Sequence, residues 1–283
     1  MTERREPVRD LAARHGIEPS RSLGQNFLLD PNLARAIAAD AGVGPGIRVV
    51  EVGAGMGSLT VALADAGAAE VLALEFDRNL LPALSEVVAG RPSVRVLHAD
   101  ATRIDWGSTL GAGRWLLCAN LPYNVGTRIL IDVLERASAV DRIVVMVQRE
   151  VGERLVARRG HGAYGALSLK VDYHATATLV RRVPPDVFWP RPAVGSVIVA
   201  LDRRETPPVD VDPGQLWRVV DASFSQRRKT MRNALRRLQL DAEGADRALS
   251  EAGVDPAARP EDLSLQEFAR IAELTAGARS SGS

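Results

Sequence analysis

From residue 47 to residue 148 the chain alternates short β-branched runs with helix-length segments, and this alternation restricts the possible folds more than any other feature. Residues 47–52, 70–75, 94–98, 115–119 and 143–148 read as strands, and 59–66, 80–89 and 127–136 read as helices. A strand returned to its sheet by a helix crosses over right-handed and lies parallel to its predecessor, so the segment predicts a mostly parallel, doubly wound α/β sheet. An earlier helix is predicted over 32–41, opened by Asp30 and Pro31 as N-cap and first helical position. Residues 167–173, 177–183 and 194–201 are expected to complete the sheet as antiparallel strands. A proline-bearing linker spans 203–213, and only helical patterns follow, at 215–224, 228–240, 243–252 and 265–275. The expected division is an α/β domain over 1–204 and a small helical domain over 205–283.

Composition removes several function classes. Hydrophobic residues at 46% and charged residues at 25% are those of a soluble globular chain, and no apolar run approaches the roughly 20 residues of a membrane span. One cysteine, Cys118, rules out an intramolecular disulfide and fits a reducing compartment. The leader mixes Arg4, Arg5, Arg9 and Arg14 with Glu3, Glu6 and Asp10 and has no apolar core, which points to the cytoplasm rather than secretion. His15, His98, His161 and His174 are scattered without ligand spacing, so no metal is expected.

Directly after the first strand comes Glu51-Val-Gly53-Ala-Gly55-Met-Gly57, where glycines let the backbone turn and approach a ligand closely. Glu75 ends the second strand, where a carboxylate can accept from both hydroxyls of a ribose; Asp100 follows the third, within reach of an adenine amino group. A dinucleotide fingerprint would place its last glycine at position 58, which is Ser58, and the spacing suits S-adenosylmethionine instead.

After the fourth strand, Asn120-Leu121-Pro122-Tyr123 is expected at the same sheet edge. Methylating an exocyclic amine requires hydrogen-bond acceptors to hold the nitrogen and a surface to hold the base. Asn120 Oδ1 and the carbonyl of Leu121 or Pro122 can accept the amine protons, while Tyr123 stacks on an extruded base. Phe188 is weighed evenly between closing the other face of that base and serving as a core aromatic.

Net charge is only +1, yet basic residues cluster. Between Asp221 and Asp241 lie Arg227, Arg228, Lys229, Arg232, Arg236 and Arg237 with no acid among them, and 154–170 is a second acid-free basic stretch. Arg228, Arg232 and Arg236 recur every four residues, which predicts one stripe on a helix and an anionic partner for it.

Six blocks carry a resemblance. Leu23-Gly-Gln-Asn-Phe-Leu-Leu-Asp30, Asn120-Leu-Pro-Tyr-Asn-Val125, Met146-Val-Gln-Arg-Glu-Val151, Tyr164-Gly-Ala-Leu-Ser168, Val183-Pro-Pro-Asp-Val-Phe-Trp-Pro-Arg-Pro192 and Phe224-Ser-Gln-Arg-Arg-Lys-Thr-Met-Arg-Asn233 are similar to the small-subunit ribosomal RNA adenine dimethyltransferases, the KsgA or RsmA family. The resemblance runs in order from about residue 20 to 274. It implies a class I S-adenosylmethionine-dependent methyltransferase with a Rossmann-like sheet and a C-terminal helical RNA-binding domain. The implied substrate is a pair of adjacent adenosines in the 3′-terminal hairpin loop of 16S rRNA, within the small subunit or its precursor, and a monomer is expected. Carried over by position, Asn26 and Leu28 would join Gly53, Gly55, Glu75, Asp100 and Asn120 around the cofactor. Ala54 replaces a common proline, and Gly126 a common serine or threonine, which is expected to loosen the loop behind Tyr123. Two alternatives remain at this point: a 23S rRNA methyltransferase of the erythromycin-resistance type, and a noncatalytic ribosome-assembly factor on the same fold.

Overall fold

The computed structural model of the chain describes residues 6–226 and 229–280. In chain order the elements are α1 (Val8–Arg14), β1 (Phe27–Leu28), α2 (Pro31–Ala41), β2 (Arg48–Val52), α3 (Ser58–Asp65), β3 (Glu70–Glu75), α4 (Leu81–Val88), β4 (Val94–His98), α5 (Trp106–Leu110), β5 (Trp115–Asn120), α6 (Gly126–Arg136), β6 (Val140–Gln148), α7 (Arg149–Val156), α8 (Ala166–His174), β7 (Ala175–Val183), β8 (Phe188–Trp189), β9 (Ser196–Arg203), α9 (Pro213–Phe224), α10 (Met231–Arg236), α11 (Ala242–Glu251) and α12 (Leu265–Ser280). They form two compact units, one of 1–152 with 175–203 and one of 153–174 with 204–283.

The first unit is built on a seven-stranded sheet ordered β4-β3-β2-β5-β6-β9-β7. The five strands from β4 to β6 are parallel, while β9 is antiparallel to both β6 and β7. Interior strands are covered on both faces, which is why β2, β3 and β5 read as nearly continuous apolar runs rather than alternating ones. From β2 the chain winds outward to β3 on one side, and β5 pairs on the other. The crevice at the carboxyl ends of β2 and β5 is therefore the topological switch point of the sheet. A separate two-stranded sheet pairs β1 with β8, setting Phe27 opposite Trp189 and Leu28 opposite Phe188. At the far end of β9, Arg203 donates to the carbonyls of Val133, Leu134, Ala137 and Val140, tying the C-terminal turn of α6 and the start of β6 to the sheet.

The second unit is helical. Leu216, Val220, Met231, Leu235, Leu249, Phe268 and Ile271 are its buried centre. Residues 153–174 belong here, not to the 1–204 domain expected from sequence. Tyr164, Leu169 and Tyr173 are buried in the same cluster, Tyr164 donates its hydroxyl to the Leu263 carbonyl at 3.0 Å, and Tyr173 meets Trp217 edge-on. The strand expected over 167–173 is instead helix α8. Its apolar residues alternate in sequence, but Leu167, Ser168, Leu169, Val171 and Tyr173 are all buried, so burial around most of the helix erases the one-sided 3.6-residue pattern. Helix α10 is also shorter than the predicted 228–240, because three-residue hydrogen bonds at Arg237 and Leu238 and a left-handed Gln239 (φ 69°) end it early.

Candidate active site

A cavity of about 270 Å³ opens at the switch point, lined by the glycine turn, the ends of β3, β4 and β5, and the loop before β1. Its floor depends on Gly55, which has φ +60° and whose added Cβ would stand 3.3 Å from the Phe27 ring. The Gly55 N–H donates to Glu75 Oε2 at 2.7 Å, and the Asp77 N–H donates to Oε1 at 2.8 Å. Each carboxylate oxygen thus keeps lone-pair capacity for a ligand while its direction is fixed. Burial pushes the Glu75 carboxyl above its ordinary range, against the pull of the backbone N–H groups. Asp100 is the opposite case. Its partial desolvation acts upward, but hydrogen bonds from the Thr102 hydroxyl and N–H, with Arg103 and Arg128 nearby, hold it below the usual range.

Asn120 ends β5, its side chain turned by a bond from Nδ2 to the Asn26 carbonyl at 3.0 Å. Its Oδ1 is buried and has no hydrogen-bond partner among the described residues. An orphaned buried acceptor costs free energy on the order of 1–3 kcal/mol unless a ligand donor completes it. Beside it, the Pro122 carbonyl accepts from the Gly126 N–H at 2.7 Å in the turn that opens α6. At Gly126 an added Cβ would lie 2.9 Å from the Leu121 Cβ, so the missing side chain lets the turn close tightly on Leu121. Tyr123 lines the same cavity, half-buried, with its hydroxyl 2.6 Å from Ser196 Oγ. Desolvation raises its phenol further and keeps it neutral.

The loop before β1 is fastened to two other loops of the site. Gln25 Nε2 donates to Asp77 Oδ2 at 2.8 Å, Asn124 Nδ2 donates to the Ser22 carbonyl at 2.9 Å, and Asn26 receives Asn120 as above. Asn26 and Leu28 consequently line the cavity together with Gly53, Gly55, Glu75, Asp100, Asn120, Leu121, Pro122 and Tyr123. Phe188 is placed elsewhere. Its ring is 1% exposed and packs with Leu28, Met146 and Ile198, so it presents no face to the cavity. Strand alternation explains this: opposite Leu28 the β8 side chain points into the core, and its neighbour Trp189 points to Phe27.

Phe76 does not stand out from sequence alone. It lines the cavity directly after Glu75 and is 53% exposed, an apolar surface beside the Glu75 carboxylate that suits a purine ring. The signal for it is an aromatic residue immediately past a strand-ending acid. Fitted to S-adenosylmethionine, the lining supplies two fixed carboxylates and an apolar face, which match its nucleoside, while the unsatisfied Asn120 Oδ1 in the same cavity remains for a second group. Among the described residues no group of three His, Cys, Asp or Glu is placed to hold a metal, and no helix is long and apolar enough to cross a membrane.

Of the basic residues expected to meet an anion, Lys229, Arg232 and Arg236 are exposed, and Arg232 is paired with Asp246 at 2.7 Å. Arg227 and Arg228 lie outside the described residues.

Comparison with known proteins identifies the family. The profile of the family described as ribosomal RNA adenine dimethylase matches residues 18–277. A ribosomal RNA small subunit methyltransferase A of Moorella thermoacetica is 45% identical, covering 92% of this chain and 94% of the relative. One of Thermobifida fusca is also 45% identical, covering 94% and 93%. Among solved structures, the 23S rRNA methyltransferase ErmE superposes with a TM-score of 0.65 at 26% identity, covering 89% of this chain and all of the other. A dimethyladenosine transferase from Plasmodium falciparum superposes at 0.73 with 22% identity, covering 87% and 95%, and supports the fold. The chain belongs to the ribosomal RNA adenine dimethylase family.

Proposed function

We propose that this enzyme dimethylates the N6 amines of two adjacent adenosines in the 3′-terminal hairpin loop of 16S rRNA, acting on the small ribosomal subunit or its precursor. The observation that carries the reading is the buried, unpartnered Asn120 Oδ1 in a cavity shared with Glu75 and Asp100. Bound there, S-adenosylmethionine supplies an electrophilic methyl group. Glu75 accepts from the ribose hydroxyls, Asp100 from the adenine amino group of the cofactor, and Phe76 covers the purine. Asn120 Oδ1 accepts one N–H of the target amine. Of the two candidate carbonyls, that of Pro122 already accepts from the Gly126 N–H and keeps one lone pair, so we assign the second acceptor to the Leu121 carbonyl. Holding both protons in fixed directions turns the nitrogen lone pair toward the methyl group, and the neutral Tyr123 ring fixes the base plane.

Repeated transfer follows from the same contacts. Each transfer leaves a cationic nitrogen that gives up one proton to solvent, so a monomethylated amine has one N–H left and needs one acceptor, and a dimethylated amine has none. Both acceptors then lose their partner, which favours release of the finished base. Lys229, Arg232 and Arg236 of the second unit, with Arg227 and Arg228, are assigned to rRNA phosphates.

The test is incubation with undermethylated small subunits and, in parallel, large subunits, each with labelled S-adenosylmethionine, followed by mapping of modified bases. Dimethylation of two neighbouring adenosines in the 16S hairpin is expected. Label confined to 23S rRNA, or none in either, overturns the assignment.

A further inference from the structure

Strand β9 is apolar from Val197 to Leu201 and begins with one buried polar side chain, Ser196, at 2% exposure. A hydroxyl buried at the head of such a strand requires a partner. Among the described residues the partner of Ser196 Oγ is the Tyr123 hydroxyl, at 2.6 Å. Ser196 is held from both sides, in register with Gln148 of β6 and Val183 of β7, so its hydroxyl is fixed by the interior of the sheet. Tyr123, by contrast, belongs to the turn between β5 and α6. Tyr123 also lines a small cleft of about 10 Å³ together with Leu121, Pro122, Thr127, Val147, Gln148 and Val151. That space is too small for a base, but it lets an untethered ring shift or a water enter.

We infer that Ser196 is a positioning residue for methyl transfer, tying the Tyr123 phenol to the sheet so that the base-stacking ring is preorganised. The inference rests on the stacking role given to Tyr123 above. Two substitutions remove the same hydrogen bond, Tyr123→Phe from one side and Ser196→Ala from the other. Each is expected to lower the single-turnover methylation rate at saturating cofactor and subunit by about three- to tenfold, the scale of a single hydrogen bond. Cofactor affinity is expected to stay unchanged, since the two hydroxyls bond to each other and neither is among the hydrogen-bond partners of Glu75 or Asp100. The double variant is expected to be no slower than the slower single variant, because the two residues act through one contact. Ser196→Thr, which keeps the hydroxyl, is expected to restore the rate.

Additive losses in the double variant, a wild-type rate in Tyr123→Phe, or a loss of cofactor affinity matching the loss of rate would each overturn the inference. If Ser196→Ala does not fold, the Tyr123→Phe rate and cofactor affinity decide it alone. Tyr123→Ala separates this from failure of the stacking role. Wild-type transfer in that variant defeats the stacking role itself, whereas a large loss there beside additive Phe and Ala effects defeats only the tether.

Discussion

The sheet-edge site and the basic segment around α10 are both made of polar side chains, but they are supported in opposite ways. Glu75 is held by two backbone N–H groups, Asp100 by Thr102, and Asn120 by the Asn26 carbonyl. Lys229, Arg232 and Arg236 extend into solvent, and the acid that Arg232 meets, Asp246, is itself about half exposed. The difference follows the chemistry proposed for each region. Methyl transfer needs atoms fixed to within a fraction of an ångström, which only locked side chains provide. Neutralising phosphates needs charge nearby and tolerates mobility. Single substitutions should therefore be severe at the sheet edge and graded on the helix.

The sharpest break is expected at Asn120. Asn120→Ala removes an acceptor present for the transition state and should lower the methyl-transfer rate about 100- to 1000-fold, with subunit affinity little changed. A loss no greater than that of a surface arginine would erase the contrast between the regions. Next comes Glu75→Ala, which leaves ribose hydroxyls without their acceptor and should weaken S-adenosylmethionine binding by about 1–3 kcal/mol in calorimetry. Acidity sharpens the same point. Because burial raises the Glu75 carboxyl in the folded state, its protonated form is favoured by folding. That stabilising contribution is present below the unfolded value of 4.5 and is lost as pH rises through the raised folded value. Cofactor affinity runs the other way, falling as pH drops through the raised value and the acceptor gains a proton. Titration of affinity against pH should show this loss beginning above 4.5, and Asp100→Asn should lower the plateau without moving that limb.

The sheet and most of its site are legible in the sequence because the informative residues fall at strand ends. Once β2, β3, β4 and β5 are parallel neighbours, Gly53, Gly55, Glu75, Asp100 and Asn120 must share one edge, whatever the loops do. What stays hidden depends on contacts between distant segments. Gln25 with Asp77 and Tyr123 with Ser196 join residues 52 and 73 apart in the chain, and no local periodicity announces them. Phe188 is ambiguous in sequence for a related reason, since only the pairing of β1 with β8 shows which of two adjacent aromatics points inward. In the helical unit, α8 mimics a strand because its alternating pattern is local while its burial is tertiary.

The smallest and most graded effects belong to the basic segment. Removing one phosphate-binding side chain should reduce the slope of log affinity against log salt by about 0.7 to 0.9. Four-residue spacing alone would make Arg232 and Arg236 equivalent, but their surroundings are not. Arg232 is 2.7 Å from Asp246, so binding a phosphate must either displace that acid or share the guanidinium with it. Both groups of the pair are about half exposed, and such pairs contribute little, so the competition is weak yet always present. Replacing Arg236 with glutamine should flatten the salt slope by nearly that full amount, and Arg232→Gln by less. Asp246→Asn frees the Arg232 guanidinium and removes a negative charge, and should tighten small-subunit binding at low salt while leaving cofactor affinity unchanged. Equal slopes for the two arginine variants would mean that spacing, not local pairing, governs this surface. An unchanged slope for both would place the RNA-binding surface on the other basic stretch, around Arg154, Arg158 and Arg159.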